Sequence, residues 1–152
     1  MIVIAIIRAI HILSGVVWAG FAVVLATLVM PNLAAEGRGA FGQYMAKSGS
    51  RVAGIAAALT FFSGLYLFWR LHSGDHSATT ITLGIGALSA ITAGIAGAAI
   101  SGRAAAQLGK LTPGPESATQ AAALRNRLML GGRITASLLV LSIICMAVAR
   151  YV

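Results

Sequence analysis

The sequence predicts an all-α membrane protein: a bundle of four transmembrane helices running up, down, up and down. Three observations predict it. Of 152 residues, 59% are hydrophobic and only 9% are charged, whereas a soluble domain carries about 25% charged residues. The apolar residues gather into four long runs with polar or basic edges. The connections between runs are short, which favours antiparallel neighbours. Residues 1–152 therefore read as one integral membrane domain, with spans at about 3–30, 52–70, 80–102 and 133–150.

The first run extends from Ile2 to Met30 and meets a helix stop at Pro31-Asn32. It is longer than a bilayer core of ~30 Å requires at 1.5 Å per residue. It is also too long for the apolar region of a signal peptide and has no small-residue cleavage site, so it is expected to remain as a helix. A segment of mixed polarity follows, Ala34 to Arg51. Phe41, Tyr44, Met45 and Ser48 share a face there, which predicts a short interfacial helix.

The second run, Val52 to Trp69, closes on Tyr66, Trp69 and Arg70, the aromatic and basic edge of a membrane interface. A polar turn, Leu71 to Ser77, leads to the third run, Thr80 to Gly102. Small residues recur there every fourth position: Gly86, Ala90, Gly94 and Ala98 in one row, Ala93, Gly97 and Ser101 in another. Such rows let helix backbones approach closely. Between the third and fourth runs, Lys110 to Ser117 reads as a turn by its Pro and Gly content. Ala104–Leu108 and Ala118–Leu130 read as helical extensions outside the membrane, the second with Ser117 as N-cap. The fourth run, Ile134 to Ala149, is bounded by Arg133 and Arg150, whose long side chains can snorkel.

Charge sets an expected orientation. The two longer loops carry Arg38, Lys47, Arg51, Arg103, Lys110, Arg125, Arg127 and Arg133, and the opposite side carries Arg8, Arg70 and Arg150. The positive-inside rule then puts the long loops in the cytoplasm and both termini outside, in a bacterial inner (plasma) membrane. The formal charge of +8 is explained by these flanking residues and not by a basic arm, so nucleic acid is not an expected partner. The bilayer is the expected partner, together with a homo-oligomer or a larger membrane complex. On this orientation His11, His72 and His76 all lie in the outer half.

Several chemistries are excluded. The three acids, Glu36, Asp75 and Glu116, lie outside the spans, which removes a carboxylate proton relay. The single Cys145 rules out an internal disulfide and a cysteine metal cluster. No Ser-His-Asp set, phosphate loop or zinc signature is present, and no Pro-broken helix pair marks a transporter midplane site.

The candidate site is a stripe on the first run. Arg8, His11, Gly15 and Trp18 are spaced three, four and three apart, one helical face. An arginine at bilayer depth costs roughly 2.5–3.5 kcal/mol on the insertion scale, so the stripe calls for a reason. His11 can ligate haem iron or copper. Gly15 leaves room for a flat macrocycle, Trp18 can line its pocket, and Arg8 and Arg150 can neutralise propionates. His72 and His76, four apart with Asp75 between, form a metal motif with His11 as a third ligand, although Gly74 interrupts any helix there.

The stretch Arg8-Ala9-Ile10-His11-Ile12-Leu13-Ser14-Gly15-Val16-Val17-Trp18-Ala19-Gly20 resembles the opening helix of small bacterial membrane proteins related to the CopD copper-resistance family. It is also similar to the HemJ-type four-helix protoporphyrinogen oxidases. In both families such a helix carries an important histidine, which matches His11. The HemJ-type lysine of a later span and the further intramembrane histidines of CopD-type proteins have no counterpart here. The resemblance implies a small haem- or metal-binding bundle. The leading expectation is a b-type haem at His11 serving redox or electron-transfer chemistry. The alternatives are a cofactor-free accessory subunit of a larger membrane complex and a CopD-like copper handler using His11, His72 and His76.

Overall fold

The computed structural model describes residues 1–31, 44, 48–112 and 114–152. They form four helices, each long and apolar enough to cross a bilayer: α1 (Ile2–Val29), α2 (Ser50–His72), α3 (Ala78–Lys110) and α4 (Ala118–Tyr151). No strand occurs among the described residues. The interfacial helix expected on Phe41, Tyr44 and Met45 lies largely outside them, as do Asn32 and Pro113 of the expected helix stop and turn.

The helical extensions expected at Ala104–Leu108 and Ala118–Leu130 are present, as the ends of continuous rods of 33 and 34 residues, α3 and α4. At 1.5 Å per residue each is about 50 Å long, well beyond a ~30 Å bilayer core. Helicity persists where hydropathy stops because the projecting ends have a core of their own. Ala104 and Leu108 of α3 meet Leu124 of α4, with Leu111, Ala121 and Leu128 packed around them. Ser117 holds the N-cap position of α4 but does not cap it: its helical dihedrals, φ −88° and ψ −6°, leave the side chain without a bond into the helix. Its hydroxyl instead donates back into the turn, to the carbonyls of Thr112 (2.8 Å) and Gly114 (3.0 Å).

The helices associate as two pairs, and small residues set both. Along α1 and α2 the contacts run in opposite senses: His11 on Gly64, Gly15 on Thr60, Phe21 on Gly49. Along α3 and α4 they do the same: Gly86 on Cys145, Gly97 on Thr135, Ser101 and Ile100 on Gly131. Both small-residue rows of α3 are used. Ala93 is fully buried and Gly97 and Ser101 face α4, whereas Gly94 faces Trp18 of α1 and Ala90 packs against the Ala19–Ala93–Leu139 cluster. Ala98, expected in the row of Ala90 and Gly94, is exposed. The pairs join through Ala19, Ala93 and Leu139. They also join at Gly131-Gly132, set between π-helical turns at Leu25–Val29 and Gly97–Gly102, with Ser101 and Ile100 against Gly131 and Ala26 against Gly132. By contrast α2 and α3, although consecutive, barely touch.

The interior is built from Ala, Ser, Thr and Leu, while Ile, Val, Leu and Phe crowd the outer surface. In water such a surface would aggregate. In lipid it is matched by the acyl chains, and close packing of small residues replaces the hydrophobic effect between helices.

Candidate functional site

A cavity of about 830 Å³ opens where α2 and α3 barely touch. Its walls come from α1, α2 and α3, with Met146 of α4 closing one side. Most of the lining is aliphatic or aromatic. The size and character suit a small organic ligand, since such sites are usually apolar clefts of about 300–1,000 Å³ with a few placed polar groups. The polar groups here are Arg8, His11, Thr60 and His72.

His11 is the most constrained of them. Its ring lies on Gly64, where an added Cβ would stand 2.7 Å from Cε1, so only glycine fits beneath it. Nδ1 is 2.9 Å from the Thr60 carbonyl oxygen and 3.2 Å from Ser63 Oγ. A carbonyl can only accept, so Nδ1 carries the proton and donates. The Ser63 hydroxyl is committed to the carbonyls of Leu59 and Thr60, which leaves its oxygen free to accept as well. With the Nδ1 proton engaged there, the ring's remaining nitrogen, Nε2, is the one left for a ligand. Anchoring Nδ1–H on a carbonyl is how metal-ligating histidines are oriented and made more basic. A second bond set stiffens the same seam, with Thr60 Oγ1 2.9 Å from Ser14 Oγ and Ser14 donating to the Ile10 carbonyl at 2.7 Å.

The other expected residues divide. Arg8 and Trp18 line the same cavity as His11. Trp18 lays its ring against Gly94, 3.7 Å from where a Cβ would sit. Gly15 does not reach the cavity wall. It faces the Thr60 side chain and serves the close approach of α1 and α2. Arg150 is exposed on the terminal turn of α4 and is not among the lining residues.

His72 lines both this cavity and a second groove of about 780 Å³, stacked on Phe68 at 5.8 Å. Its Nδ1 is buried with no hydrogen-bond partner. His76 is exposed and borders only the groove. Asp75, between them, is engaged at the start of α3. Oδ1 accepts from the Ser77 amide at 3.0 Å, and Oδ2 accepts from the Thr80 and Ser77 hydroxyls, each at 2.7 Å. Gly74 makes that turn with φ +81°. Among the described residues, no three His, Cys, Asp or Glu side chains gather closely enough to hold a metal ion, so His11, His72 and His76 do not form one cluster.

The bonds from Thr80 and then Ser77 hold the Asp75 carboxyl down to about 2, against a reference of 3.8. A depressed folded value means the stabilisation is present above about pH 4 and is lost as pH falls toward 2. The thermal midpoint of Asp75→Asn is expected to lie below wild type above pH 4 and to converge on it in acid. Parallel curves across that window would show that the bonds carry no linked stability.

Thr60, Ser63 and Gly64, which orient His11, escape a sequence reading. Their signal is a Thr–Ser–Gly cluster at 60, 63 and 64, one face of a helix that is otherwise aliphatic and aromatic. Compared with known protein families, curated proteins and solved structures, the chain matches none of them.

Proposed function

We propose that the protein is a multi-pass protein of a bacterial inner membrane that binds b-type haem at His11 and serves redox or electron-transfer chemistry. The observation that carries this reading is the fixed tautomer of His11. Nδ1–H is spent on Thr60 and Ser63, and a bare Nε2 belongs to a ring lining an apolar cavity. The donor set fits the group. Haem needs an imidazole lone pair for its iron, apolar walls for its faces and a cation for its acid edge. His11, the aliphatic and aromatic lining, and Arg8 supply these in turn. Met146 adds a thioether to the same wall. When bound, haem supplies a one-electron couple whose potential depends on its ligands and on the polarity around it. The chain's own part is to orient the imidazole, exclude water and hold the acid edge.

In this reading the four helices run up, down, up and down, with both termini outside and the long loops in the cytoplasm. The opposed contact order along α1 with α2 and along α3 with α4 supports the alternation. The excess of basic residues on the two long loops supports the orientation. A reporter fused after Val152 is expected to be active only when it functions outside the cytoplasm. For the cofactor, protein purified in detergent and titrated with ferric haem is expected to give a saturable, one-to-one, red-shifted Soret band. A spectrum indistinguishable from haem in empty detergent micelles would overturn the assignment.

A further inference from the structure

We infer that Arg8 and His72 together hold the carboxylates of the ligand centred on His11, so that the cavity reads an amphiphile with a metal or hydrogen-bond donor inside and a dianionic edge outside. The inference rests on the haem reading and extends it to a residue that reading does not use.

The two cavity imidazoles are in opposite tautomers. His11 donates from Nδ1 and presents a bare Nε2, an acceptor. His72 is reversed. Its Nδ1 is sealed away from every donor and acceptor among the described residues. An orphaned N–H at such a point costs more than an orphaned lone pair, so the proton sits on Nε2. His72 therefore offers a donor. By residue type the two rings are alike, and their bonding environments make them complementary.

Their placement is also ordered. The His11 ring lies on Gly64, and His72 is eight residues further along the same helix, a rise of about 12 Å. That separation suits the two ends of a ligand better than two bonds of about 2 Å to one metal. Arg8 stands one turn before His11 on α1, and α1 and α2 run in opposite senses, so Arg8 lies on the His72 side of His11. Both residues line the cavity. Among the described residues Arg8 makes no ion pair, and Asp75, the acid of the turn between α2 and α3, has both oxygens occupied by Ser77 and Thr80. The outer end of the cavity thus combines an uncompensated guanidinium with an imidazole N–H. A ligand with two carboxylates on one edge supplies the missing charge, and its apolar body occupies the walls between Phe68, Leu88 and Ile91.

The test uses the full chain in detergent and a porphyrin without iron, which removes the His11 bond from the measurement. Metal-free protoporphyrin and its dimethyl ester are titrated by fluorescence into wild type, Arg8→Gln, His72→Phe and His11→Ala. His72→Phe preserves the stack on Phe68. Wild type is expected to prefer the diacid by about tenfold or more, the range of hydrogen bonds to charged groups. Arg8→Gln and His72→Phe are each expected to reduce that preference, and together to remove it. His11→Ala is expected to keep it while losing the axial spectrum of the iron form. Equal binding of acid and ester, or a preference that survives in the double variant, overturns the inference and leaves haem at His11 standing. Failure of both metal-free porphyrins to bind wild type overturns the inference, and failure of ferric haem as well overturns both.

Discussion

Replacing His11 with alanine is expected to abolish the axial haem spectrum while leaving the helices folded. In the proposed site the imidazole would be the nitrogen ligand, and its removal would leave the iron only weak or sulfur donors from the lining, such as Met146. The apolar walls remain, so some macrocycle should still partition into the protein without the shifted Soret band. A graded companion separates ligation from packing. Ser63→Ala removes one of the two acceptors of Nδ1–H and leaves the Thr60 carbonyl at 2.9 Å. Outer-shell partners of this kind are worth about 10–100-fold in metal affinity. Ser63→Ala should therefore weaken haem binding at the lower end of that range with the band position nearly preserved. If His11→Ala binds haem with an unchanged spectrum, the iron is held elsewhere and the fixed tautomer has only a structural purpose.

The second large effect belongs to Gly131. A Cβ at this position would overlap Ser101 Oγ and stand 2.9 Å from Ile100 Cγ2 and 3.0 Å from Ile100 Cβ. Ser101 Oγ also lies 3.5 Å from the Leu128 carbonyl, so it has little space to withdraw. Overpacking of this kind costs typically about 1–3 kcal/mol for a small group and more for a larger one. Gly131→Leu is expected to separate α3 from α4 at their π-helical crossing and to lower the thermal midpoint in detergent strongly. Gly84→Leu is the control, since nothing lies within 4 Å of its added Cβ and that position should tolerate bulk. Equal melting of the two variants would show that the close approach does not hold the pair together.

What the sequence revealed follows from what periodicity can encode. The four spans were readable because lipid demands long apolar runs, and the runs at Ile2, Val52, Thr80 and Ile134 each fall within one helix. The ends of α3 and α4 were less readable. Hydropathy marks where lipid stops, whereas Leu108, Leu124 and Leu128 continue a helix–helix contact beyond that point. The π-helical turns left no pattern at all. His11 stood out because an imidazole among Ile, Val and Leu is rare. Its anchors did not, because Ser and Thr in a membrane helix commonly bond their own preceding carbonyls, as Thr60 does with Ala56 and Ser63 with Leu59. Arg150 was grouped with His11 by depth, but depth does not give the direction a helix faces. The opposed roles of His11 and His72 depend on the groups around each nitrogen, which the spacing of residues does not contain.

The sparse contact between α2 and α3 bears on how the chain is made. The polar side chains of the first hairpin, His11, Ser14, Thr60 and Ser63, find their partners within that hairpin. It can therefore leave the translocation machinery with those groups already neutralised, before α3 has been synthesised. The second hairpin brings its own closures, Thr135 on the Ala93 carbonyl and the Thr79 hydroxyl on the Val152 carbonyl. Assembly then reduces to docking two finished halves, with the cleft left open at the α2–α3 seam. If the proposed cofactor is bound, it would be loaded sideways through that seam without unfolding either half.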